Sequence, residues 1–237
     1  HQHIEGIDVL IMSGEGAAPA SLPGLDESAP PAPFDPYRLS PWFQRLTAVE
    51  RARAARFRHE GNAWTFVVGR VLAREALADR LGRDDGPGLP LTIGPRGKPY
   101  LDIEPRIPFN ISHTVRRDAE GWSALVAVAV GQPGGGAVGV DVERIARFER
   151  ATLAARYFAA GEREAVREVP RPARSEALAA LWTRKEAFLK ATGEGIARGL
   201  DTFEVTIDQP ARLLRIDGDD PRRWSMADLE VPEGYRG

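Results

Sequence analysis

The sequence has no cysteine and only two methionines among its 237 residues. Without cysteine there are no disulfides, no thiolate zinc sites and no cysteine nucleophile, and the protein is expected to be cytoplasmic. Histidine is scarce too. His1, His3, His59 and His113 are the only four, and two of them stand at the chain start. A site built from several imidazoles is therefore not expected, and carboxylates become the better ligands for any metal. Lysine is rare, and the net charge is only −2, so bulk charge gives no reason to expect a nucleic-acid partner. No apolar run approaches the roughly 20 residues that span a bilayer. The strongest, Ala124 to Val130, is strand-sized. No signal peptide is visible, and the chain opens on His1 rather than Met, so its natural start is expected to be missing or altered.

What is present is an ordinary globular composition, 43% hydrophobic and 28% charged, in a chain long enough for one large domain or two of usual size. Ile7 to Met12 reads as a strand, and Gly14 to Pro36, rich in Pro, Ala and Gly, as an irregular excursion. Thr47 to His59 reads as a helix, with Thr47 as cap and Glu50 three residues on. The stripe Trp64, Val67, Val68, Val71, Leu72 and Leu77 marks a second helix over Asn62 to Leu81, ended by Gly82. Leu91 to Ile93, Phe109 to Ser112 and Ser123 to Val130 are expected strands. The run Gly131 to Gly136 is the clearest linker. After it come an apolar strand at Ala137 to Val142, helices at Ala151 to Ala160 and Ser175 to Ala191, and a strand at Thr202 to Ile207. The last residues, Pro232 to Gly237, read as a turn into a strand that does not follow, so the C-terminus is expected to be truncated.

Asp141 and Glu143 are one residue apart at the end of an apolar strand. Alternate side chains of a strand share a face, so both carboxylates point one way and Val140 and Val142 point into the core. Taken alone, the pair is either a solvated strand end or the seat of a divalent cation that relieves the repulsion between two carboxylates. Oxygen ligands favour Mg²⁺ or Mn²⁺. Trp182, Glu186 and Lys190 follow at helical spacing on one face, which an ordinary amphipathic helix with a Glu186–Lys190 ion pair also explains, though it accounts less well for the glycine-rich exit Gly193-Glu194-Gly195. Gly97-Lys98-Pro99 and Asn110-Ile111-Ser112-His113-Thr114 add a lysine, hydroxyls and an imidazole suited to phosphate, without the setting of a nucleophile elbow.

In this order, Gly97-Lys98-Pro99, Phe109 to Thr114, Gly139-Val140-Asp141-Val142-Glu143-Arg144-Ile145, and Trp182 to Lys190 with Gly193-Glu194-Gly195-Ile196 resemble the Sfp-type 4′-phosphopantetheinyl transferase family. Arg53 to Phe57, Gly69 to Arg74 and Arg156-Tyr157-Phe158 with Glu162 add weaker support. The resemblance implies an α+β fold of two similar halves, residues 1–133 and 134–237, related by a pseudo-twofold axis, with the active site in the cleft between them. It implies attack by a serine of an apo acyl or peptidyl carrier protein on the β-phosphate of coenzyme A, with 3′,5′-ADP leaving. By similarity Asp141, Glu143 and Glu186 hold Mg²⁺, with Mn²⁺ as the alternative. Glu186 is also a candidate base for the serine proton, a role that competes with metal binding.

The same resemblance assigns Lys190 to the pyrophosphate or leaving group and Lys185 to a neighbouring position. Lys98, Ser112 and His113 are expected to grip coenzyme A, with Arg53 and His113 near its 3′-phosphate. Trp182 is expected to be structural. The carrier should present an acidic helix, met here by Arg144, Arg147, Phe148 and the segment to Phe158. The protein is expected to be a monomer serving peptide and polyketide synthases of secondary metabolism, with no membrane partner. The missing C-terminal strand is expected to leave the chemistry unaffected. Two rivals stand beside this: another metal-dependent phosphodiester enzyme, and a non-catalytic coenzyme A or carrier-protein binding module.

Overall fold

The computed structural model describes residues 1–4, 6–17, 40–84, 88–94, 97–149 and 156–237. Its elements in chain order are β1 (Gln2–Ile4), β2 (Ile7–Ala17), α1 (Ser40–Phe43), α2 (Ala48–Ala54), α3 (Glu60–Arg80), β3 (Leu91–Ile93), β4 (Pro99–Leu101), β5 (Phe109–Asp118), β6 (Gly121–Val130), β7 (Glu143–Arg144), α4 (Ala160–Glu168), α5 (Arg174–Thr192), β8 (Phe203–Val205), β9 (Leu213–Ile216) and β10 (Tyr235–Arg236). Most of the expected excursion to Pro36 lies outside the described residues, as do residues 151–155 of the helix expected at Ala151 to Ala160. Of the described residues 156–160 only Ala160 is α-helical, and α4 runs from there to Glu168, where no helix was expected.

An antiparallel sheet of order β1-β2-β6-β5 forms the N-terminal part. Helix α3 lies on one face, with Trp64, Val68, Leu72 and Leu77 packed against Trp122, Val126 and Val128 of β6. The other face gives Val9, Leu125, Ala127 and Ala129 to a separate cluster with Val138, Val140 and Val142. Strand β6 is thus covered on both faces, and this is why its sequence is a continuous apolar run rather than an alternation. Strand β5 runs six residues past its expected end at Ser112 because β6 continues to pair with it, Arg117 opposite Trp122. The ladder carries those polar residues; hydrophobicity does not.

Helix α2 is capped as expected. Glu50 N–H donates to Thr47 Oγ1 at 3.3 Å, and the Glu50 carboxylate accepts Thr47 N–H at 3.0 Å. The same carboxylate binds Arg74 of α3 at 2.8 Å, so the cap also docks α2. The C-terminal part packs α5 with α4 and the β8–β9 hairpin around Phe158, Leu181, Phe188 and Phe203.

One expected strand is different in kind. Val138, Val140 and Val142 are buried, yet residues 137–142 join no backbone ladder. Only Glu143–Arg144 pair, and they do so with Tyr235–Arg236. The sequence leads to no strand at the chain end, but β10 is one, and it lies directly against Glu143. No helix among the described residues is long and apolar enough to cross a membrane.

Candidate active site

Residues 140–143 run beside β5 and are tied to it by side chains. Val140 N–H donates to Asn110 Oδ1 at 3.2 Å, and Val142 N–H to Ser112 Oγ at 3.2 Å. Ser112 Oγ donates to Asp141 Oδ1 at 2.8 Å, and Thr114 Oγ1 to Glu143 Oε2 at 3.1 Å. Asn110, Ser112 and Thr114 are alternate residues and so share one face of β5. Asp141 and Glu143 do stand together, as alternation along an extended chain requires, and both are buried.

Helix α5 brings the other wall. Lys190 Nζ lies 2.6 Å from Asp141 Oδ1 and 2.8 Å from Ser112 Oγ. This contact depends on Gly139. A Cβ there would fall 1.9 Å from Ala187 O, so only glycine lets the carboxylate-bearing chain touch the α5 backbone. The helix ends at Gly193 in the left-handed conformation, φ 73°. Near this end Lys98 Nζ donates to Lys190 O at 2.7 Å, a cation set against helix carbonyls. Burial and the neighbouring Lys190 charge both lower the Lys98 pKa.

The charges are tightly coupled. Burial, then repulsion from Asp141, raises the pKa of Glu143; Arg147 opposes the shift through an ion pair. Burial, then Asp141, also raises Glu186, with Glu143 adding to it and Lys190 and Arg147 opposing. Asp141 Oδ2 and Glu186 Oε1 are buried with no hydrogen-bond partner, a costly state for carboxylate oxygens. Even so, no three histidine, aspartate or glutamate side chains among the described residues converge closely enough to hold an ion together. Lys190 and Arg147 instead occupy oxygens of Asp141 and Glu143.

The structure therefore gathers Lys98, Ser112, Asp141, Glu143, Glu186 and Lys190. His113, next to Ser112 on β5, faces the opposite side and is exposed, with no hydrogen bond to the group. Desolvation and Lys190 lower its pKa while Asp141 pulls it up. Ser112 departs from its expected role. Its one proton and two lone pairs are all engaged, with Asp141, Val142 and Lys190. It organises the cleft and in this arrangement has nothing left for a ligand.

Two expected ligand contacts lie elsewhere. Lys185 has no exposed surface: it pairs with Glu162 at 2.7 Å and donates to Leu200 O and Phe203 O at 2.8 and 2.7 Å. One residue before Glu186 on a helix, it points about 100° away, into the C-terminal core. Arg53 is exposed on α2, 5.1 Å from the Phe66 ring centroid, and makes no hydrogen bond or ion pair with the cleft residues. Phe148, expected at a carrier surface, is buried against Trp182, 6.1 Å between ring centroids. Arg147 belongs to the acidic cluster and stacks over Trp182 at 5.5 Å. Asn110 and Thr114 were legible only as parts of a motif. Their alternation with Ser112 was the available sign of a shared face.

Comparison with known proteins agrees with this geometry. A family model of the 4′-phosphopantetheinyl transferase superfamily matches residues 137–236. The 4′-phosphopantetheinyl transferase HetI of Nostoc sp. is 32% identical over 194 residues, 79% of this chain and 74% of that protein. A 4′-phosphopantetheinyl transferase of Bacillus subtilis is 29% identical over 190 residues, 80% of this chain and 73% of that one. The 4′-phosphopantetheinyl transferase Sfp of the same species is 26% identical over 191 residues, 81% of this chain and 80% of that one. The cleft between sheet and helix, with its lysines and buried carboxylates, and these likenesses lead to one conclusion: the chain belongs to the Sfp-type 4′-phosphopantetheinyl transferase family.

Proposed function

We propose that this protein transfers the 4′-phosphopantetheine arm of coenzyme A to a serine of an apo acyl or peptidyl carrier protein, giving the holo carrier and 3′,5′-ADP. The observation that carries this reading is the meeting of Lys190, whose backbone carbonyl accepts from Lys98, with three coupled carboxylates, two of whose oxygens are buried without partners. Such a cleft suits a pyrophosphate that needs its charge neutralised while an alcohol approaches.

By donor chemistry the site suits a hard divalent cation, because Asp141, Glu143 and Glu186 offer only oxygen and two of those oxygens are buried without partners. The three side chains would have to draw together around the ion, in place of the Lys190 and Arg147 contacts. Mg²⁺ is the proposed ion and Mn²⁺ its substitute. When bound, it would polarise the pyrophosphate oxygens and offset the charge that builds on them. Lys190 reaches the cleft floor from α5 and would neutralise the pyrophosphate or protonate the leaving group. Lys98 stands beside it as a second cation, and the family resemblance assigns His113 to an outer phosphate of coenzyme A. The serine oxygen forms its bond to the β-phosphorus as the bond to 3′,5′-ADP breaks. Glu186 takes the serine proton directly or through a water, and its raised pKa suits that task. The half-buried Arg144 and the exposed Arg147 offer charge complementary to an acidic carrier helix. We read residues 1–133 and 134–237 as two halves related by a pseudo-twofold axis, in a cytoplasmic monomer serving peptide or polyketide synthases.

The test is incubation with coenzyme A, Mg²⁺ and an apo carrier domain, read by mass spectrometry. The carrier should gain the mass of the arm, and omission of the metal should abolish the gain. No gain on any acyl or peptidyl carrier would sink the reading. Tight coenzyme A binding without turnover would favour a binding module instead.

A further inference from the structure

The chain that carries Asp141 and Glu143 is suspended. On one side Glu143–Arg144 form an ordinary ladder with Tyr235–Arg236. On the other, the N–H groups of Val140 and Val142 reach Asn110 and Ser112 side chains, where a neighbouring strand would offer carbonyls. A backbone ladder sets two strands about 4.8 Å apart. An interposed side chain holds them farther apart, by an amount that its own length decides. The depth of Asp141 in the cleft is therefore set by the reach of Asn110 and Ser112. The Glu143 carboxylate is held by Thr114 at one oxygen and by Arg147 at the other.

We propose that Asn110 and Thr114 are positioning residues for the metal-binding carboxylates. Asn110 fixes the Asp141 backbone through Val140 N–H, and Thr114 orients Glu143 through its hydroxyl. This rests on the metal reading above. Both residues are buried, at 5% and 9% exposure, so they act through the carboxylate-bearing chain. Neither bonds to Lys190. Ser112 does, and its substitution would disturb two functions at once.

The experiment titrates Mn²⁺, followed by electron paramagnetic resonance, into wild type, Asn110→Ala, Asn110→Asp and Thr114→Val, with a thermal melt of each. Loss of an outer-shell partner weakens metal binding about 10- to 100-fold, and that is the shift expected for Asn110→Ala and Thr114→Val. Asn110→Asp keeps the acceptor oxygen and should recover the affinity. Should Asn110→Ala fail to fold, the nearly isosteric Thr114→Val carries the test. Folded Asn110→Ala and Thr114→Val proteins that bind Mn²⁺ as tightly as wild type would overturn the proposal. Wild type that binds no Mn²⁺ would overturn it together with the metal reading. Wild type that binds Mn²⁺ and shows the expected losses, but transfers no arm, would uphold the positioning roles and retire the reaction alone.

Discussion

Glu186 shows how one residue can oppose folding while serving chemistry. Burial and the Asp141 charge raise its pKa, so the fold favours its protonated form. A carboxylate raised in this way contributes stability only below its unfolded pKa, and that contribution is lost as pH rises through the folded value. At neutral pH it is a net cost to the metal-free protein. Glu186→Gln should therefore raise the metal-free denaturation midpoint at pH 7. The gain over wild type should vanish below about pH 4, where the unfolded carboxyl is also protonated. The same substitution should cut turnover by about 10² or more if Glu186 acts as base. Lys185 predicts the opposite pattern. Truncating it to alanine leaves Glu162 buried without its cation, which costs about 3–5 kcal/mol in such pairs. Urea unfolding should show that loss, while the KM for coenzyme A of the folded fraction stays unchanged. A raised KM with unchanged stability would return Lys185 to the ligand site.

At the scale of elements, the active cleft is a contact between an extended chain and a helix, closed at Gly139. Because a Cβ there would meet the Ala187 carbonyl at 1.9 Å, Gly139→Ala must push α5 away from Asp141. Overpacking a tight contact costs about 1–3 kcal/mol, sometimes more, and backbone yields less readily than side chain. The expected result is a lower melting temperature together with loss of turnover, because Lys190 retreats from Asp141 as the helix moves. The C-terminal segment is tied to the same helix. Arg184 of α5 binds Asp228 at 2.8 and 2.9 Å, and the chain then continues to β10 beside Glu143. The end of the chain thus stands directly beside the carboxylate-bearing segment. Nothing in Pro232 to Gly237 announces this, because two-residue strands carry no periodic signal.

At the scale of the molecule, the sheet shares a core with the C-terminal part of the chain through residues 138–142 and 229–235. Val9, Leu125, Ala127 and Ala129 pack with Val138, Val140 and Val142, and Leu229, Val231 and Tyr235 close over them. Burying each such Val or Leu contributes about 1.5–3 kcal/mol, and neither part could expose that surface alone at small cost. Unfolding should therefore be one cooperative transition. Trp64 and Trp122 report on the first core and Trp182 and Trp224 on the second; single-tryptophan variants should show coincident urea midpoints. The sequence alone determined α3, α5, the strands β2, β5 and β6 in outline, the cap at Thr47 and, through motif order, the identity of the cleft carboxylates, because periodicity, turn chemistry and motif order are local properties. It also narrowed the cleft cations, since the chain has only three lysines. Which of them face the cleft was a tertiary outcome. Lys98 and Lys190 meet across it, while Lys185, one position from Glu186, turns inward to Glu162. The side-chain ladder of Asn110, Ser112 and Thr114 was likewise decided only in three dimensions. Hydrogen bonds between residues some 30 positions apart leave no period in the sequence, and they exist only once the two cores have closed on each other.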